Sequence, residues 1–134
     1  LEEKFLYYKS LGALRDSEER IREIIVMDEA HIFVNDDPRN PINTILKEAR
    51  KYGLAIIFAS QAFNHFGEDI LSNVVCKICL GIDETFHDPS AKALKIDAKR
   101  FKHITMQKTA LIQIKEKGST SNQFFDVILG IGPV

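Results

Sequence analysis

Two short, unbroken apolar runs constrain this chain more than anything else in it: Ile24-Ile25-Val26-Met27 and Leu54-Ala55-Ile56-Ile57-Phe58-Ala59. Both are rich in β-branched residues and too short to be helices. Such runs read as strands buried on both faces of a parallel sheet. The segment between them reads as a helix. Asn40 is placed to cap it, Pro41 suits its first turn, and Ile42, Ile45, Leu46 and Ala49 give it an apolar stripe. Gly53 then stands where a left-handed residue ends a helix. Strand, helix, strand with this spacing predicts an α/β domain.

The remaining pattern extends that unit. Glu2 to Arg22 reads as helix, with Phe5, Leu6, Leu11, Leu14 and Ile21 on one side. Gly12 weakens its middle, and Asp16 or Ser17 could cap a restart. Downstream, a helix is expected over Gly67 to Asn73 and a third strand over Val74 to Leu80. Short helices are expected from Asp88 to Ile96 and from Asp97 to His103. Ala110 to Lys115 and Phe124 to Leu129 read as two late strands. Gly118-Ser119-Thr120-Ser121-Asn122 turns between them, so the pair predicts a hairpin.

Composition narrows the classes. With 134 residues the chain is expected to form a single domain. Hydrophobic residues at 45% and charged residues at 28% exclude a disordered chain. Eighteen basic against nineteen acidic residues leave a net charge of −1, which excludes a strongly basic nucleic-acid sleeve. Any DNA contact must then use a local patch or a ring of subunits. No apolar run is long enough to span a membrane, and Leu1-Glu2-Glu3-Lys4 does not open a secretory signal. Two cysteines fit a reducing compartment, so a cytoplasmic location is expected.

The chemistry concentrates at the ends of the two apolar runs. After the first come Asp28-Glu29-Ala30-His31. A carboxylate at the carboxyl end of a strand, Asp28, can hold the water shell of Mg²⁺. The next, Glu29, can orient or deprotonate an attacking water. A solvated acidic pair capping a loop is the plain alternative. After the second run come Ser60-Gln61, where Gln61 could hydrogen-bond a γ-phosphate or the attacking water. Arg50 and Lys51 close the helix before that run. Basic residues there complement the helix dipole, and an arginine can also stabilise charge on a transferring phosphoryl group. Physics leaves both roles open for Arg50.

Met27-Asp28-Glu29-Ala30-His31, then Glu48-Ala49-Arg50-Lys51-Tyr52-Gly53, then Phe58-Ala59-Ser60-Gln61 resembles the HerA–FtsK superfamily of P-loop ATPases, and most of all the HerA-type DNA translocases. The resemblance covers roughly residues 24 to 82 and continues loosely to the late strands. It implies a partial RecA-like three-layer sandwich with a mostly parallel sheet and a C-terminal β-hairpin. Residues 1–134 would be the C-terminal portion of a RecA-like ATPase core. It implies ATP and Mg²⁺ as cofactors, with Asp28 the Mg²⁺-associated acid acting through water, Glu29 the catalytic base, Arg50 a finger reaching a neighbour's ATP, and Gln61 the sensor. His31 would couple the acidic motif to the next loop. The partners implied are duplex DNA in the channel of a homo-hexameric ring and an accessory protein such as a nuclease.

The sequence departs from that family in one respect: it contains no G-x-x-x-x-G-K-[ST]. The chain alone is therefore expected to be inactive. In RecA-like sheets the missing strand lies between the sensor strand and the one after it. A gap or a bare edge is expected there, and with it self-association. Two other readings stand beside the translocase: a DEAH-box-type helicase fragment and a non-catalytic interaction module on an ATPase-like scaffold. DEAH-box helicases follow the tetrad with Ser-Ala-Thr, whereas this chain has Ala59-Ser60-Gln61. Cys76 and Cys79 are three apart on a strand, so they are expected to face opposite sides and stay free thiols. The four histidines show no metal spacing. Lys92, Lys95, Lys99, Arg100, Lys102 and Lys108 form a basic region expected to be a solvated face.

Overall fold

The computed structural model describes residues 1–14, 20–35, 37–116, 118 and 122–130. Its elements run α1 (Glu2–Ser10), β1 (Glu23–Met27), α2 (Pro41–Glu48), β2 (Leu54–Phe58), α3 (Glu68–Asn73), β3 (Cys76–Cys79), α4 (His87–Leu94), β4 (Thr109–Ile114) and β5 (Phe125–Ile128), with short 3₁₀ turns between several of them. The chain divides into two compact units: residues 1–61 with 65–70, and residues 62–64 with 71–134. Among the described residues no helix is long and apolar enough to cross a membrane.

In the first unit β1 and β2 pair in parallel, from Glu23 beside Leu54 to Met27 beside Phe58. The connection carries the expected signals. The Asn40 side chain accepts from the Ile42 amide at 3.1 Å, Pro41 opens α2, and Gly53 is left-handed at φ 79°. A Cβ on Gly53 would meet Arg22 Cγ at 3.0 Å and Leu14 Cδ1 at 3.2 Å, so the position needs glycine for space as well as conformation. Phe5, Ile45, Ala49, Tyr52 and Leu54 form the core, with Leu1, Tyr8, Ile25 and Ile56 against it.

Two expectations fail in this unit. The first helix stops at Ser10 rather than Arg22, and Gly12 takes φ 87°. Beyond it the backbone bonds elsewhere: Leu14 N–H donates to Lys51 O at 2.9 Å and Arg22 N–H to Gly53 O at 2.8 Å. The Arg22 guanidinium donates to Gly12 O at 2.9 Å, tying down the chain that leaves α1. Asp16 and Ser17 lie outside the described residues. Leu6, Leu11 and Ile21, expected on the buried side, are exposed. The strands are also buried on one face only: Ile24, Val26 and Ile57 are 55%, 65% and 52% exposed. Ile25 and Ile56 turn to the core, while alternate residues face the other way.

The second unit is a three-stranded antiparallel sheet in the order β3-β4-β5. The late hairpin forms as expected, with Ala110 beside Val127 and Ile112 beside Phe125; residues 119–121 of its turn lie outside the described residues. β2 and β3 belong to different sheets. The core of this unit is Cys79, Ala91, Leu94, Phe101, Leu111 and Phe124. Asp97 caps the turn Ala98–His103 through the Lys99 amide. Cys76 is exposed and Cys79 buried, as strand alternation requires, and burial pushes the Cys79 thiol above its ordinary pKa. In the basic region Lys92, Lys95, Lys99, Lys102 and Lys108 are exposed, while Arg100 is half-buried and donates to Phe124 O at 3.0 Å.

A polar chain also crosses the second unit. Lys77, only 6% exposed, donates from Nζ to Gln113 Oε1 at 3.0 Å. Gln113 donates to Asn122 Oδ1 at 2.8 Å, and Asn122 to Leu94 O at 2.8 Å. Burial, followed by the nearby Lys115 charge, pushes the Lys77 ammonium down to about 8.

Candidate functional site

Parallel pairing brings the carboxyl ends of β1 and β2 together. Met27 lies beside Phe58, Ala59 N–H donates to Met27 O at 2.9 Å, and Ala30 N–H donates to Ala59 O at 3.1 Å. These two bonds stitch the turn Asp28–Ala30 to the start of the Ser60-Gln61 loop. Crevices at strand carboxyl ends are where open α/β sheets bind ligands.

Glu29 occupies the left-handed region at φ 50°, ψ 39°. This conformation is costly for a residue with a side chain. It is fixed on both sides: Glu29 N–H donates to Asp28 Oδ1 at 2.9 Å, and Glu29 O accepts from Ile32 N–H at 3.0 Å. Asp28 is exposed, and its second oxygen makes no hydrogen bond among the described residues. Among the described residues no three His, Cys, Asp or Glu side chains gather as a direct metal site, so a cation here would be met by Asp28 only through its water shell. Glu29 keeps a half-exposed carboxylate with Oε2 at 3.5 Å from His31 Nε2.

His31 extends the site to the other strand. Ser60 Oγ lies 3.1 Å from His31 Nδ1 and 3.0 Å from His65 Nδ1, and the two imidazole rings lie tilted at 39° with centroids 4.5 Å apart. In sequence His65 shows no metal spacing and Ser60 is only the neighbour of Gln61. Ser60 meets His31 because parallel pairing sets the turn after β1 beside the loop after β2, and His65 lies five residues further along that loop. Gln61 is exposed at the same end of the sheet.

Arg50 is not brought to these residues. It sits exposed in the 3₁₀ turn Ala49–Tyr52, which enters β2 at its amino end. Asp28 and Glu29 leave β1 at its carboxyl end. Parallel strands of five residues separate those ends by about 13 Å. A cavity of about 410 Å³ next to Met27 is lined by Leu1, Glu2, Glu3, Phe33 and Ile42. Among the described residues its lining carries carboxylates and no Lys or Arg side chain, which does not suit phosphates.

No protein-family model matches the chain, and no curated protein matches it. Solved structures do. The genome packaging NTPase B204 from Sulfolobus turreted icosahedral virus 2, in complex with AMPPCP, superposes with a TM-score of 0.63 at 18% identity. The match covers 93% of this chain and 56% of that one. The same NTPase in complex with ATP-gammaS gives the same TM-score, identity and coverage. The chain thus has a partial RecA-like α/β fold, shared with an NTPase, and spans a little over half the length of that relative in structure.

Proposed function

We propose that this chain is the catalytic-base half of an ATP-hydrolysing motor, a DNA translocase or helicase subunit of the HerA type. The observation that carries the reading is the adjacent placement of Asp28-Glu29 and Ser60-Gln61 at the carboxyl ends of a parallel strand pair. The fold in which they sit is shared with an NTPase solved with two ATP analogues. Asp28 would hold Mg²⁺ through water. Mg²⁺ would neutralise phosphate charge as the γ-phosphoryl group leaves. Glu29, left-handed in the turn after β1, takes up the proton of the attacking water. Gln61, at the same end, touches the γ-phosphate or the water.

Arg50 acts across a subunit boundary in this reading. Its position at the opposite end of β2 keeps it from its own chain's Glu29 and leaves it exposed for a neighbour's nucleotide. That geometry favours a ring, which we take to be a hexamer around duplex DNA, open to an accessory protein such as a nuclease. The phosphate cradle is not among the 134 residues and must be supplied by residues outside them. The test is ATP hydrolysis by a longer protein containing this sequence, with and without duplex DNA. Stimulation by DNA supports the motor; hydrolysis indifferent to DNA removes the translocase assignment.

A further inference from the structure

Glu29, His31, Ser60 and His65 carry protons whose placement is determined by their mutual geometry. Ser60 has one hydroxyl proton, yet its Oγ lies within hydrogen-bond distance of two imidazole nitrogens, His31 Nδ1 at 3.1 Å and His65 Nδ1 at 3.0 Å. It can donate to one and must accept from the other. The Glu29 carboxylate decides which. Oε2 faces His31 Nε2 at 3.5 Å, and a carboxylate is repelled by a ring lone pair but attracted by an N–H. The His31 proton therefore sits on Nε2, and Nδ1 is an acceptor. Ser60 donates to His31, and His65 donates to Ser60 from Nδ1–H. All the donors then point one way, from the loop after β2 to the carboxylate.

We propose that Ser60 and His65 are positioning residues for Glu29, acting through His31. The ordered chain fixes the His31 tautomer, holds the imidazole N–H towards Oε2 and so leaves the other carboxylate oxygen for the attacking water. The inference rests on the reading of Glu29 as the base. It adds a consequence: Ser60 adjoins Gln61, so displacement of that loop breaks the chain and turns Glu29 out of alignment. Hydrolysis is thereby made to depend on what Gln61 touches. The backbone bonds between Ala30 and Ala59 and between Ala59 and Met27 anchor the start of that loop beside the turn after β1.

Long-range ¹⁵N–¹H spectra of the imidazoles in the 134-residue chain test the proton order directly. The expected pattern is Nε2–H for His31 and Nδ1–H for His65, with His65 losing its Nδ1–H form in Ser60→Ala and keeping it in Ser60→Thr. Nε2–H on both rings of the wild type overturns the proposal, and no variant is needed to see it. In the longer protein, Ser60→Ala is expected to lower kcat about tenfold with KM for ATP unchanged, and Ser60→Thr to restore it. If Glu29→Gln abolishes hydrolysis while Ser60→Ala leaves kcat intact, the positioning role falls and the base assignment stands. If Glu29→Gln leaves hydrolysis intact, both fall together.

Discussion

The backbone at Glu29 stores strain that a pair of substitutions can measure. A non-glycine residue at φ 50°, ψ 39° costs about 1–2 kcal/mol relative to ordinary helical or extended backbone. Glu29→Gly relieves that cost, whereas Glu29→Ala keeps it. Both remove the carboxylate and its 3.5 Å contact with His31, so those losses cancel in the comparison. At an ordinary position glycine is the less stable of the two by about 0.5–1 kcal/mol, because its unfolded chain has more freedom to lose. Here the order inverts: the left-handed cost outweighs glycine's entropy, and the Glu29→Gly protein is expected to be more stable than the Glu29→Ala protein by about 0.5–1 kcal/mol in urea unfolding. For a chain this size that is a Tm difference of about 2–4 °C. Lys95, at φ 59° after α4, should show the same inversion and serves as a control far from the carboxylates in sequence. An alanine variant at least as stable as the glycine variant would refute the claim that Glu29 is held against its preference. Strain kept at an acidic residue beside a strand end is expected where aim matters more than stability.

Gly53→Ala should cost about 1–2 kcal/mol in the same assay, because the new Cβ meets Arg22 and Leu14 in a left-handed backbone; a change below a few tenths would contradict the packing. Lys77 titrates near 8 when folded against an ordinary 10.5, so the folded state sheds its proton first and stability rises with pH between those values. Relative to Lys77→Met, the wild type should gain at most about 3 kcal/mol from pH 7 to 10.5 in denaturant unfolding. The comparison cancels the opposite trend of Cys79, whose raised pKa loses stability as pH climbs. A constant difference between the two proteins would show that Lys77 is not buried as charge. Rings mixed from Arg50→Ala and Glu29→Ala subunits should recover ATPase activity over either parent, and no recovery would remove the trans role.

The parallel pair was legible because local signals agreed with each other. Asn40, Pro41 and Gly53 bracket α2 in the sequence as they do in the fold, and the two apolar runs could only be strands. The over-long first helix was misread because the apolar spacing runs on past Gly12, whereas Leu14 and Arg22 gain more by bonding to backbone beside Gly53. Burial on both faces was misread at Ile24, Val26 and Ile57. An apolar run reports what a strand can bury, not how many layers the described chain supplies. Asp28 and Glu29 were legible from their place after β1. The Ser60–His31 link was not, since it depends on which residues a parallel register sets side by side. The separation of Arg50 from Glu29 was within reach: one precedes its strand, the other follows its own, and parallel strands put those places at opposite ends.

The central claim is that Glu29 is the base of a nucleotide hydrolase. The most direct measurement is single-turnover ATP hydrolysis beside equilibrium ATP binding, on the longer protein and its Glu29→Gln variant. With Glu29 as the base, the variant should bind ATP within a few-fold of wild type and lose about 100-fold or more in hydrolysis. Hydrolysis within a few-fold of wild type would contradict it and leave Asp28-Glu29 as the cap of a turn.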